Sequence, residues 1–436
     1  MKTNNQLDIK EIFNLALKNQ KIKNFKTAIN QYKKILKTNP NISLVYYNLG
    51  LIYEQLEEIE TSKKNYEKSI KIDPLFFYSY NNLGILFQKQ GYKLKAIENF
   101  KKVIKIKPEY VNAYNNLGLV YSSLGEYKEA VNNFIQTLKL DKNNLLAKKS
   151  LIYLITYYST NNNYPLIVAN NDLKRIQNKF IFNEIFKIEN LNYIFKESYK
   201  IMKNLDNEFE NFAFFETQSY RRSTLDLNCE NHHQVFNNLN IIPNFCFSCY
   251  KIQIEPKNVI DLIRLFFIFD YLELPKNNQR KCMIELRDEV PGLYKGIIYC
   301  SGMDEANEIL QNIKPTLNMY LQYKVGIKRG CSEFYESYSN FNITNKKDKN
   351  FMNYPNKWKK IENNAKTINN FNTIKTNKSV SGLSISDFFV INQWLNYAKV
   401  INDQSYKQID MKIFNSQYIN QKILNQVEFR RKEFMY

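Results

Sequence analysis

At 436 residues and 44% hydrophobic composition the chain can bury more than one core, so two or three folded units are expected. No stretch approaches the ~20 uncharged apolar residues that span a bilayer, and the opening MKTNNQLDIKEIFNLALKNQ lacks the apolar core of a signal peptide, so the sequence reads as soluble and cytoplasmic. The formal charge of +20 raises nucleic acid as a partner, but only 9 of the 62 basic residues are Arg, none before Arg175, and Lys lacks the fork that grips phosphate, so the charge reads as solvated surface.

A period of 34 residues opens the chain. It links Pro40, Pro74 and Pro108; Ala16, Gly50, Gly84 and Gly118; Leu15, Leu49, Leu83 and Leu117; Ala28, Ser62, Ala96 and Ala130; and Tyr32, Tyr66, Phe100 and Phe134. Four units result, at 9–42, 43–76, 77–110 and 111–144. Small residues at Gly50 and Ala96 let two helices approach, the aromatics Tyr53, Phe87 and Tyr121 fill the space between hairpins, and proline ends the second helix because it has no N–H to donate. The pattern resembles the tetratricopeptide repeat family, with Tyr46, Tyr80 and Tyr114 where that family often carries Trp. The outer units depart from it, with Asn19 in an aromatic slot and Lys142 in a proline slot, as terminal repeats commonly do. Residues 145–160 read as a capping helix.

Asn14, Asn48, Asn82 and Asn116 occupy one slot in all four units. In tetratricopeptide arrays that slot lies on the first helix, so the resemblance implies a ladder of amides along a concave groove, as in the asparagine-lined superhelices of protein-modifying glycosyltransferases. A carboxamide both donates and accepts, and so can hold a peptide backbone without reading its side chains. The alternative is chance, in a chain rich in Asn. By itself the array is a binding device, and any chemistry must lie in the remainder of the chain.

Residues 161–225 read as a helical linker region. Next come Cys229, His232, His233, Cys246 and Cys249, spaced C-x2-H-H-x12-C-x2-C and holding the only two histidines of the chain. Six cysteines are too few and too clustered for a secreted disulfide framework. Two knuckles separated by a dozen residues suit a tetrahedral structural zinc site, with Cys229, His232, Cys246 and Cys249 as ligands and His233 and Cys331 as further candidates. An iron–sulfur cluster ranks behind zinc, because one ligand is His and the spacing is not that of ferredoxins. The competing reading makes Cys246 and Cys249 small buried residues before a strand.

From Tyr250 the pattern runs strand (YKIQIEP), helix (NVIDLIRLFFIFDYLEL), strand (KCMIELR), strand (YKGIIYC), helix (DEANEILQNIKPTLNMYL), strand (KVGIKRGC). This β-α-β-β-α-β order is that of a ferredoxin-like α+β sandwich, so the Cys/His knuckle and the sandwich are placed together at 226–340. In that topology Cys331 approaches Cys249, and a turn at Pro291–Gly292 brings Cys282 opposite Cys300. Sheets of this kind can stack RNA bases on exposed aromatics, here Tyr250, Tyr294 and Tyr299, but no RNA-binding signature is present, so nucleic acid stays open and unsupported. Arg221, Arg222, Arg329 and Glu333 are expected near the knuckle, with Arg287 and Asp288 at the far hairpin. They form either an anion pocket or structural pairs with Glu255, Glu285 and Glu333, and the pairs are favoured.

Residues 341–380 read as a polar, partly disordered loop with one short helix, and 381–436 as C-terminal helices, the first capped by Ser384 or Ser386. The chain is thus expected to be multidomain: an all-α superhelix followed by a metal-bearing α+β domain, acting as an adaptor for a peptide or protein client with no membrane partner. A metal-dependent enzyme recruiting a protein substrate is the alternative, and RNA binding ranks third.

Overall fold

The computed structural model describes residues 9–206, 209–212, 214, 216–221, 235–287, 290–331, 333–335, 337–368, 381–424 and 427–435. It divides into two compact units, Met1–Leu151 and Ile152–Tyr436.

The first unit is a run of helical hairpins: α1 (Ile9–Lys21) with α2 (Phe25–Thr38), α3 (Ser43–Gln55) with α4 (Ile59–Ile72), α5 (Phe77–Lys89) with α6 (Lys93–Ile106), and α7 (Val111–Leu124) with α8 (Tyr127–Leu140). The division between units falls inside the next helix, α9 (Leu145–Tyr157). A proline disfavours helical backbone in the residue before it, and Asn39 and Asp73 are extended as they close α2 and α4. Asp141 closes α8 in the same way although Lys142 comes after it, so the packing of the repeat imposes the stop even without proline.

Each hairpin after the first, which has Ala16 in the slot, is locked by a glycine and a ring. A Cβ on Gly50 would sit 2.5 Å from the Tyr66 ring, and one on Gly84 or Gly118 would sit 2.7 or 2.6 Å from Phe100 or Phe134. The ring occupies the space that a side chain would need. The turn inside each hairpin also repeats. Lys23, Glu57, Gly91 and Gly125, again 34 residues apart, all take left-handed φ between 60° and 80°. Glycine adopts that backbone freely, whereas Lys23 and Glu57 are held there against their own preference. First helices of neighbouring hairpins meet, α5 touching α7, which sets them on the inner side of a superhelical stack.

The second unit is built on a five-stranded antiparallel sheet of order β1-β3-β4-β2-β5, from β1 (Gln218–Arg221), β2 (Tyr250–Pro256), β3 (Arg280–Ile284), β4 (Tyr294–Cys300) and β5 (Tyr323–Arg329). The sequence leads one to expect four strands. The fifth, β1, is only four residues long with no apolar alternation, and it lies in the segment read as a helical linker. That segment also holds α10 (Pro165–Gln177) and α11 (Ile188–Leu205). A five-residue helix, α12 (Asn244–Ser248), precedes β2, and α13 (Val259–Tyr271) and α14 (Met303–Tyr320) link the strands, pack on the sheet and touch each other. Gly296 of β4 lets α13 lie close, since a side chain there would run into Leu265.

α15 (Asn356–Ile368) buries Trp358 against Phe341 and Cys246. α16 (Ile385–Ile401) is buried along most of its length and is capped by Ser384, which accepts from the Asp387 N–H while Asp387 accepts from the Ser384 N–H. Two short helices, α17 (Gln417–Lys422) and α18 (Val427–Met435), complete the chain.

Candidate functional site

The inner side of the first unit carries the amide row, unevenly. Asn14 is exposed, whereas Asn48 is only 5% exposed and turns its amide onto its own helix, donating to Leu44 O at 2.9 Å. Asn82 and Asn116 are half-buried and reach across repeats: Asn82 donates to the Tyr66 hydroxyl at 3.4 Å, and Asn116 to Asn81 Oδ1 at 3.4 Å. Asn81 in turn donates to Asn82 Oδ1 at 3.1 Å. The row therefore includes residues that the single-slot reading misses, Asn81 and Asn115, each immediately before a repeating Asn. The Asn-Asn doublets at 81–82 and 115–116 were the available signal.

Tyr66 joins this row to an ion pair. Burial raises its phenol above the usual range, so it stays protonated and donates to Glu54 at 3.1 Å, while Lys89 donates to the other Glu54 oxygen at 2.7 Å. At the other end of the inner helices, the rings of Tyr47, Phe76, Phe77, Tyr78 and Tyr110 form a contiguous cluster, with neighbouring centroids 4.1–6.1 Å apart.

The Cys/His constellation is only half in view, because Cys229, His232 and His233 lie outside the described residues. Cys246 and Cys249 bracket one turn, the Cys249 N–H donating to Cys246 O at 3.3 Å. Cys246 is buried in an apolar cluster that also holds Cys331, and Gly330 N–H donates to Cys249 O at 2.9 Å, so the Cys331 end of β5 does come up to the knuckle. Among the described residues, however, no three His, Cys, Asp or Glu side chains gather as a metal site, so Cys246, Cys249 and Cys331 do not make one by themselves. Cys282 and Cys300 are not opposite each other: Cys282 pairs with Gly296 and Cys300 with Tyr250, because Ile284 pairs with Tyr294 and the connection is centred ahead of Pro291–Gly292.

The arginines separate into structural roles. Buried Arg221 bridges Asp270 at 2.8 Å and Asp387 at 2.9 Å, its guanidinium 4.2 Å over Phe266. Arg329 reaches the knuckle helix, donating to Phe247 O inside a ring cage of Phe247, Tyr250, Phe341 and Phe351. Arg222 and Asp288 lie outside the described residues, as does the Glu333 side chain. Arg287 grips Glu285 with two bonds of 2.9 Å, the expected structural pair. Tyr250 and Tyr294 are buried, and Tyr294 donates to Asp403 at 2.7 Å, so neither ring is free to stack a base.

Burial works against ionised Glu285, but hydrogen bonds from Arg287 and Lys295 outweigh it and hold the carboxyl down at about 2. A carboxyl lowered on folding stabilises the native state above its unfolded value, and that stability is lost as pH falls through the folded one. Both tryptophans, Trp358 and Trp394, lie in the second unit and report on it alone. Tryptophan-monitored urea midpoints are expected to fall between pH 4.5 and 2, and Glu285→Gln should flatten that slope.

These features define a repeat-bearing binding protein joined to a sheet-based unit. Residues 44–74, 95–125 and 111–144 match models of the tetratricopeptide repeat, which supports a protein-interaction adaptor. No curated protein matches the chain. Among solved structures, a crystal structure of MamA protein is 26% identical over 34% of this chain and 80% of that one, with a TM-score of 0.32. The Arabidopsis OM64 TPR domain is 25% identical over 27% of this chain and 96% of that one, at 0.26. The first TPR of Spaghetti (RPAP3), bound to the HSP90 peptide SRMEEVD, is 20% identical over 26% and 89%, at 0.25. Among the described residues no helix is long and apolar enough to cross a membrane.

Proposed function

We propose that the chain is an adaptor that holds an extended segment of a client protein along α3, α5 and α7, with a ferredoxin-like second unit carrying a zinc staple. The observation behind the groove is the amide row that continues from one hairpin to the next through Asn116 and Asn81. Amides placed side by side offer donors and acceptors at the spacing of a backbone, and tetratricopeptide stacks use such inner faces for binding. Asn82 and Asn116 are the members that reach beyond their own helix, so they carry the contact, with Asn48 and Asn14 flanking them.

A photo-crosslinking residue in place of Ile85, three residues after Asn82 on α5, is expected to capture a client that one in place of Lys102 on α6 does not. Replacing Asn82 and Asn116 together with Ala should cut that capture about tenfold or more, as loss of several hydrogen bonds of ~1 kcal/mol each requires, without changing helicity by circular dichroism. Undiminished capture would end the reading.

The ferredoxin-like assignment is supported by the β3-β4-β2-β5 order with α13 and α14 as crossing helices. For zinc, Cys246 and Cys249 would supply two thiolates and Cys229 with His232 or His233 the rest, the metal tying the knuckle segments together. Purified protein should then contain about one zinc per chain. Cys246→Ser should lose both the metal and the second unit's tryptophan-monitored folding transition. Metal-free protein with an unaltered transition overturns the staple.

A further inference from the structure

Three of the four inner helices, α3, α5 and α7, are almost devoid of charge in a chain of net charge +20, whereas α1 carries Lys10, Glu11, Lys18 and Lys21. α3 and α7 contain no basic residue and α5 only Lys89; the single acidic residue of the three is Glu54. These two charges are bonded to each other at 2.7 Å, and Glu54 also holds Tyr66. The outward helices behave differently. α6 alone carries Lys93, Lys95, Lys101, Lys102 and Lys105 against one acid, Glu98. Lysine is this chain's ordinary surface residue, and the strip along α3, α5 and α7 excludes it: no residue in the slots of Leu44, Tyr47, Asn48 and Leu51 is charged there, the first repeat alone placing Lys10 in the Leu44 slot.

An acidic segment laid there, or a free terminal carboxylate, would lose water and gain no cation in return, a penalty that disfavours binding. An uncharged backbone meets the amides on equal terms. The ring cluster adds an apolar end to the strip: Tyr78 is 43% exposed, Leu44, in the same slot one repeat earlier, is 41% exposed, and Leu75, three residues before Tyr78, is 71% exposed. The row also ends on an unmet acceptor. Asn81 Oδ1 accepts from Asn116, but 34 residues beyond Asn116 stands the shorter Ser150, and buried Asn115 Oδ1 has no donor among the described residues.

Resting on the client-groove reading, we propose that this groove selects an uncharged, extended, internal segment of its client bearing an aromatic or aliphatic anchor, and discriminates against acidic tails. The amides hold the main chain, the Tyr78 end receives the anchor, and the Glu54–Lys89 pair withholds the one cation of α3, α5 and α7 that could attract a carboxylate.

The test uses the full chain to select from a random library of short displayed peptides, followed by fluorescence anisotropy on capped synthetic versions. Enriched sequences are expected to be uncharged and to contain Tyr, Phe or Leu. Inserting two Glu, or freeing the terminal carboxylate, should weaken binding about tenfold, and binding should change by less than about twofold with added salt. Tyr78→Ala should weaken the parent peptide, while Glu54→Gln, by releasing Lys89, should strengthen the Glu-bearing analogue several-fold and make it salt-sensitive. Enrichment of Asp and Glu, or equal binding of both analogues by the unaltered chain, overturns the selectivity and leaves the groove standing. No enrichment by a chain of intact helicity overturns the groove reading as well.

Discussion

Replacing Arg221 with Met is expected to destabilise the second unit by about 3–5 kcal/mol, the range found when one partner of a buried ion pair is removed. Arg221 is 1% exposed at the end of β1 and neutralises two carboxylates at once, Asp270 on α13 and Asp387 at the start of α16. Without it both acids remain buried with no guanidinium to face. Asp387 would keep the bonds it accepts from the Ser384 N–H and from Ser219, but neutral donors do not replace a guanidinium in a buried site. Gln177 of α10 donates to Asp270 at 2.7 Å, so one substitution loosens a sheet edge and three helices together. Tryptophan-monitored urea unfolding reads the effect. Asp270→Asn with Asp387→Asn should remove much of the penalty, because there is then no excess charge to strand. A loss below about 1 kcal/mol for Arg221→Met, the worth of a surface pair, would show that the cluster does not hold the unit together.

The second large effect belongs to the glycine and ring pairs of the repeats. Phe100→Ala should cost about 3–5 kcal/mol, because a fully buried ring is removed from between helices that cannot collapse into the gap. Gly84→Ala should cost about 1–3 kcal/mol by overpacking, since its new Cβ would lie 2.7 Å from that ring. The two changes relieve each other, so the double variant should be more stable than the sum of the singles predicts, with a coupling of about 1 kcal/mol or more. Helicity followed by circular dichroism measures this. Simple additivity would mean that the ring does not depend on the missing side chain. Stacked repeats depend on their neighbours, so the loss should also weaken α4 and α7, which pack against this hairpin.

The repeats were legible because each structural need recurs at the same step: Gly50, Gly84 and Gly118 for close approach, Tyr66, Phe100 and Phe134 for filling. The direction of each amide was not. Asn48 and Asn82 share a slot, yet one folds onto Leu44 and the other reaches Tyr66, a choice made by neighbours rather than by local spacing. In the second unit the four longer strands announced themselves through apolar runs, while β1 is too short to do so. Arg221 finds Asp387 across 166 residues, a pairing with no local sign in the sequence. The expected meeting of Cys282 and Cys300 failed on register, since Pro291 and Gly292 marked a turn without fixing its centre.

The shared left-handed turn at Lys23, Glu57, Gly91 and Gly125 makes each hairpin an interchangeable cassette. Splicing at matching points of two repeats joins chain ends that already have the same direction and the same backbone geometry. An extra copy therefore lengthens the array by one step without a new linker, and the reach of its client surface can be altered in whole-repeat increments.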